Sequence, residues 1–177
     1  MGRKVYEGKV IDVSLERVCL PNGVTTELEV IAHPGGAAIV ALNGNDEICL
    51  LRQYRHVIDG WLWEVPAGKI DNREPPLETA KRELAEEAGV HAARWSSLGR
   101  MVSSPGVFCE QVHLYLAEEL SFTAASAEAD EVIEVHWLPF DEALSRAVAI
   151  VSAEDGIWDA KSVLAIVRAH ALRGAAE

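Results

Sequence analysis

Apolar and polar residues alternate along residues 4–32, where KVYEGKVIDVSLERVCL and TTELEVIA flank the turn-favouring Pro21-Asn22-Gly23. This pattern predicts an extended N-terminal region folded as a strand hairpin. A strand pair is marginal alone, so it must dock on the domain that follows or on a partner chain. Pro34-Gly35-Gly36 interrupts the pattern ahead of a strand at residues 37–42, and Asn43-Gly44-Asn45 makes a turn before the apolar Ile48-Cys49-Leu50-Leu51. WLWEVPAG reads as one further strand, and residues 95–102, 110–118 and 132–138 as three more. Residues 140–145 and 160–172 have helical spacing, while 121–129 form a polar, alanine-rich loop. Strands and helices in this order predict a mixed α/β fold.

The densest chemistry lies in GKIDNREPPLETAKRELAEEAGV, residues 68–90. Pro75 and Pro76 fit a helix start, and Gly89 fits the left-handed position just past its end. Leu77, Ala80, Leu84 and Ala88 recur at spacings of three and four and mark a face that packs on a core. Glu83 and Glu87 share another face, with Glu86 beside them. Like charges so spaced repel by ~0.2–0.5 kcal/mol per pair, which a hard divalent cation with oxygen ligands would relieve. Lys81 and Arg82 offer the plainer balance of mixed surface charge.

A chain of 177 residues suffices for one substantial core and a small appended element. Its formal net charge of -12 argues against nucleic acid held on a broad basic surface, although a small phosphate ligand on a metal and one or two arginines is compatible with it. No apolar run is long enough to cross a membrane, and MGRKVYEGKVIDVS lacks a hydrophobic export segment; a soluble cytoplasmic protein is expected. Cys19, Cys49 and Cys109 are far apart and the six histidines are scattered, so neither set has zinc spacing.

Residues 68–90 also resemble the Nudix box, G-x5-E-x7-R-E-apolar-x-E-E-x-G-apolar, through Gly68, Glu74, Arg82, Glu83, Leu84, Glu86, Glu87, Gly89 and Val90. Beyond the box, the resemblance is to the family's ADP-ribose pyrophosphatase branch. It rests on the N-terminal strands, Gln53-x-Arg55, Trp63-Glu64-x-Pro66-Ala67-Gly68, Pro105 16 residues after Gly89, DEVIEVHW and GIWDAKSV. It implies a Nudix-type α/β/α sandwich with a mixed sheet, an N-terminal antiparallel strand region at 1–33 and a catalytic domain at 34–177.

The implied activity is hydrolysis of the pyrophosphate of ADP-ribose to AMP and ribose 5-phosphate with Mg²⁺ or Mn²⁺. Another nucleoside diphosphate sugar, such as GDP-mannose or ADP-glucose, is the alternative substrate, and a non-catalytic nucleotide-sugar sensor the alternative class. Glu83 and Glu87 are the expected principal metal ligands, and the resemblance adds Glu86 and the Ala67 carbonyl. Glu74, Arg82 and Gly68 are expected to support the site. Arg55 and Glu64 are expected to position substrate, with Arg52 a competing phosphate ligand. The general base is sought among Glu131, Glu128 and Asp130, in that order. Ser104-Pro105-Gly106 is expected to shape the floor or rim of the terminal-ribose pocket. A homodimer is expected, with N-terminal strands crossing to the other subunit and Trp61 and Trp63 as packing candidates.

Overall fold

The structure, a computed structural model, describes residues 2–126, 131–149 and 155–175. The N-terminal region is a three-stranded antiparallel meander, β1 (Arg3–Glu7), β2 (Asp12–Cys19) and β3 (Thr25–Ala32), where a hairpin was expected. The difference lies in EGKV: Gly8 N–H bonds Ile11 O at 2.9 Å and closes a second tight turn. Among the described residues, backbone bonds tie this sheet to the rest of the chain at Ile31, whose N–H donates to Val107 O at 2.7 Å and whose carbonyl accepts from Cys109 N at 2.9 Å.

β4 (Gly36–Ala41) is central and wholly buried. Its even residues Ala38 and Val40 join a core with the helices α2 (Phe140–Val148) and α3 (Ala160–Gly174), while Ala37, Ile39 and Ala41 face α1 (Pro76–Ala88). Helices therefore cover both sides of one strand, which is why its sequence is continuously apolar rather than alternating. The result is an α/β/α sandwich. β4 runs parallel to β9 (Gln111–Phe122) and antiparallel to β7 (Ala67–Lys69) in the sheet β7-β4-β9-β8, so that sheet is mixed.

The second sheet, β10-β5-β6, is antiparallel and built from β5 (Glu47–Arg55), β6 (Gly60–Glu64) and β10 (Ile133–Pro139). WLWEVPAG is thus two strands in two sheets. Val65-Pro66 separates them because Pro66 has no N–H for a ladder, while its carbonyl still accepts from Ile39 N at 2.8 Å. β8 (Val90–Val102) and β9 extend past their predicted ends, so that Val90 pairs Phe122 and the loop predicted from residue 121 starts later. No helix among the described residues is long and apolar enough to cross a membrane.

Candidate pyrophosphate site

α1 begins with Pro at its first position and ends at Gly89, whose φ of 65° and N–H bonds to Ala85 O and Leu84 O stop the helix. Its buried residues are Thr79, Ala80, Glu83, Leu84 and Glu87. Two carboxylates are therefore buried together with the apolar face. That arrangement costs free energy unless their charge is compensated.

Compensation comes partly from Arg82. Its Nη1 donates to Glu83 Oε1 at 2.8 Å and Glu86 Oε2 at 2.9 Å, and its Nη2 to Glu74 Oε1 at 2.8 Å and Lys69 O at 3.1 Å. The Arg82 bonds hold Glu74 below the ordinary carboxylate range. Thr79 Oγ1 adds a bond to Glu74 at 2.9 Å. Glu87 is different: burial pushes its carboxyl up to about 8 from 4.5, the Ala67 N–H and the Arg55 charge oppose the rise, and the Glu83 and Glu131 charges add to it. That N–H donates to Glu87 Oε2 at 2.9 Å and fixes β7 beside the helix. Burial raises Glu83 as well, against the opposing charge of Arg82.

Gly68 is what lets the two elements approach. A Cβ built on it would lie 1.9 Å from Glu83 Cδ and 2.0 Å from Oε1. Gly68, Lys69, Asp71, Arg82, Glu83, Glu86 and Glu131 line a depression of about 400 Å³. Glu131 thus comes to the carboxylates, while Glu128 and Asp130 lie outside the described residues. Among the described residues no three His, Cys, Asp or Glu side chains converge closely enough to cage a cation, and the Arg82 guanidinium bridges Glu83 and Glu86. The donor set nevertheless suits a hard cation: all oxygen, two carboxyls raised by burial, and a glycine leaving the approach open. Glu83, Glu87 and Glu86 are the side chains that would hold it.

Gly68 and Lys69 also line a second depression of about 350 Å³, with His33, Arg55, Asp159 and Lys161 among its walls. The two depressions therefore meet at β7. Arg55 forks onto Glu64, Nε to Oε1 at 2.7 Å and Nη2 to Oε2 at 2.8 Å. Lys161 Nζ also bonds Glu64 Oε2. Burial alone would raise Glu64, but the bonds from Arg55 and the Lys161 charge hold it below the usual range. At 2 % exposure and with both oxygens engaged, Glu64 is not presented to a nucleoside as the sequence reading expected; it anchors two cations instead.

Arg52 is also elsewhere. Three residues from Arg55 on one strand, it projects to the other side, where it sits 4.9 Å over the Trp61 ring, bonds Glu134 at 3.4 Å and lines a depression with Trp63 and Trp158. It does not share the Arg55 cleft. Trp63 packs against the monomer's own core, whereas Trp61 stays part-exposed. Pro105 and Gly106 line a smaller depression against Leu28, Glu29 and Val30, although Ser103, just before them, lines the Arg55 cleft. Asp159 and Lys161 escaped the residue-by-residue reading; their signal was present in GIWDAKSV.

Residues 32–157 match the NUDIX domain family. The chain belongs to that family. It is 36% identical over 165 residues to a methanol dehydrogenase activator of Bacillus methanolicus and 37% identical over 165 residues to an ADP-ribose pyrophosphatase of Bacillus subtilis (strain 168); each alignment covers 92% of this chain and 86% of the relative. A solved ADP compounds hydrolase superposes with a TM-score of 0.81 at 21% identity, covering 99% of this chain and 93% of that one, and shows the same fold. Within a NUDIX chain the loop and helix at residues 68–90 are the family's box, here held in shape by Arg82.

Proposed function

We propose that this NUDIX hydrolase cleaves the pyrophosphate of ADP-ribose to AMP and ribose 5-phosphate, with Mg²⁺, or Mn²⁺ in its place. The observation that carries this reading is the junction at Gly68 and Lys69 of a carboxylate-lined depression with one walled by Arg55, Lys69 and Lys161. A diphosphate laid across that junction would meet Arg55 and Lys69 on one side, with Lys161 engaged by Glu64 and Asp159 behind them, and carboxylates able to hold metal on the other. The similarity to an ADP-ribose pyrophosphatase supports the substrate. When bound, the divalent cation neutralises phosphate oxygens and lowers the pKa of water. Arg55 donates charge-assisted hydrogen bonds to a phosphate, Arg82 holds Glu74, Glu83 and Glu86 in register, and residues 104–106 form the far rim. Water attacks phosphorus, the bridging P–O bond breaks, and the water's proton passes to Glu131.

The substrate test is release of AMP from ADP-ribose, ADP-glucose and GDP-mannose side by side, with Mg²⁺ and with chelator. ADP-ribose is expected to turn over fastest and only with metal; faster turnover of GDP-mannose would overturn the choice of sugar. Binding of ADP-ribose without AMP release would instead mark a sensor, a reading kept in view by the equally similar relative named as an activator. Glu131→Gln is expected to lower kcat by ~10²-fold or more, as loss of a general base does. Normal turnover there, with loss in Glu128→Gln or Asp130→Asn, would move the base.

A homodimer completed by exchange of the 1–33 region is also proposed. β1 is exposed throughout, Val5 and Tyr6 included, and the meander's two bonds at Ile31 are few for a sheet that must stay docked. Deleting residues 1–32 is expected to lower solution mass and turnover together, and a fully active monomer would overturn the exchange. Three free cysteines accord with a reducing, cytoplasmic setting.

A further inference from the structure

The contacts around Glu64 close into a ring that metal chemistry leaves unused. Lys161 Nζ bonds Glu64 Oε2 and, at 2.9 Å, Asp159 Oδ2. Asp159 Oδ2 also accepts from the Ser162 N–H at 3.1 Å and the Ser162 hydroxyl at 2.5 Å, which caps the start of α3. Ser162 Oγ in turn accepts from Val65 N at 2.9 Å, the residue next to Glu64. The first turn of α3 is thereby locked to the end of β6. Ser162 is fully buried and Lys161 is largely so, with 18% of its side chain exposed.

The ring has a consequence for Arg55. A carboxylate offers about four lone-pair sites. Arg55 takes one on each Glu64 oxygen and Lys161 takes a third. The guanidinium is engaged through Nε and Nη2, which leaves Nη1 and its N–H donors without a protein acceptor among the described residues. Remove Lys161, and a buried Glu64 oxygen loses its second partner. Arg55 is then the nearest group that can make up the deficit, by turning further onto Glu64 and away from the cleft.

We propose that Lys161 is a positioning residue for substrate binding: by holding Glu64 Oε2 it keeps Arg55 in the pose that leaves Nη1 available to an anionic phosphate in the cleft. Asp159 fixes Lys161 in that role, and its own position is set by the helix cap. Four groups of alternating charge, Arg55, Glu64, Lys161 and Asp159, form a neutral and preorganised set. Such a set does not have to rearrange when a phosphate arrives. The inference rests on the reading of the cleft as a diphosphate site.

Lys161→Met, Lys161→Arg, Glu64→Gln and the Lys161→Met/Glu64→Gln double variant are to be compared for turnover of ADP-ribose, with melting temperature followed in each. Lys161→Met is expected to raise KM about tenfold and to leave kcat within about threefold, the split produced by loss of binding shared by ground and transition states. Lys161→Arg should recover most of the loss. In the Glu64→Gln background the Lys161→Met change should add nothing, because the route through Glu64 is already cut. Additive losses would show that Lys161 meets the substrate directly and would overturn positioning. So would an unchanged KM, or a joint fall of kcat and melting temperature that arginine does not rescue. If the wild-type enzyme hydrolyses no nucleoside diphosphate sugar, the functional reading fails separately. Crystal structures of wild type and Lys161→Met then decide: a displaced Arg55 sustains the inference, and an unmoved Arg55–Glu64 fork overturns it.

Discussion

Glu87→Gln is expected to cut turnover at least about a hundredfold while stabilising the metal-free protein at alkaline pH. The loss follows from removing one of the two buried carboxylates that face β7, since a bound metal supplies several kcal/mol to the transition state and each 1.36 kcal/mol is tenfold. The gain follows from the same burial. In the folded chain the carboxyl is pushed up to about 8 from an ordinary 4.5, so the folded state holds this proton more tightly than the unfolded state does. The sign is the reverse of the usual carboxylate. There is no penalty below the unfolded value; stability is lost as pH rises from about 4.5 and the loss is complete above about 8.

The shift corresponds to on the order of 5 kcal/mol, or roughly 10–20 °C in melting temperature for a chain of this size. Gln removes the ionisation and can still accept the Ala67 N–H. Melting temperatures in chelator should therefore coincide for wild type and variant near pH 4.5 and diverge toward pH 8, with the variant higher. Mg²⁺ should raise the wild type most at the alkaline end. Parallel curves across that range would show that Glu87 ionises without strain and would remove the electrostatic argument for a metal at this face.

Gly68→Ala is expected to lower turnover ~10²-fold with the fold retained, the scale associated with a displacement of about 1 Å at a reacting site. The added methyl would fall 1.9 Å from Glu83 Cδ and 2.4 Å from Oε2, so the carboxylate must leave its place. Glu83 is a flexible side chain, which is why the backbone can survive the change. Its displaced position would no longer share the cleft floor with Glu86 and Glu131. Metal affinity, read by the Mg²⁺ dependence of turnover, should weaken together with kcat. Near-normal kinetics in a folded Gly68→Ala protein would mean that Glu83 works from elsewhere and that the close contact is incidental.

Much of this architecture was legible in the residue pattern. Helical period and end signals are local, so Pro75, Pro76 and Gly89 marked α1 and spacing alone placed Glu83 and Glu87 on one face. The same locality located most strands. It failed where the partner lies far along the chain. In WLWEVPAG, Pro66 marks a break, but nothing in the segment says which sheet each side joins; that division depends on β5 and β4 each claiming an end. Gly8, likewise, became a turn only because β1 found β2.

The chemistry divides along the same line. Sequence by itself determined the family, the mixed α/β layering and the carboxylate set of α1, because those depend on residue types at short spacing. Tertiary structure alone decided how each charge is used. Glu64 and Lys161 are 97 residues apart, and their contact turned an expected nucleoside acceptor into a buried anchor. Glu87 meets Ala67 across 20 residues, and burial there raises its proton affinity. Arg52 and Arg55 look alike in sequence, yet the strand pleat sends one to the tryptophan-lined side and the other to the cleft. Burial, charge compensation and the face a side chain occupies are sums over distant neighbours, and those neighbours exist only once the sheets have paired.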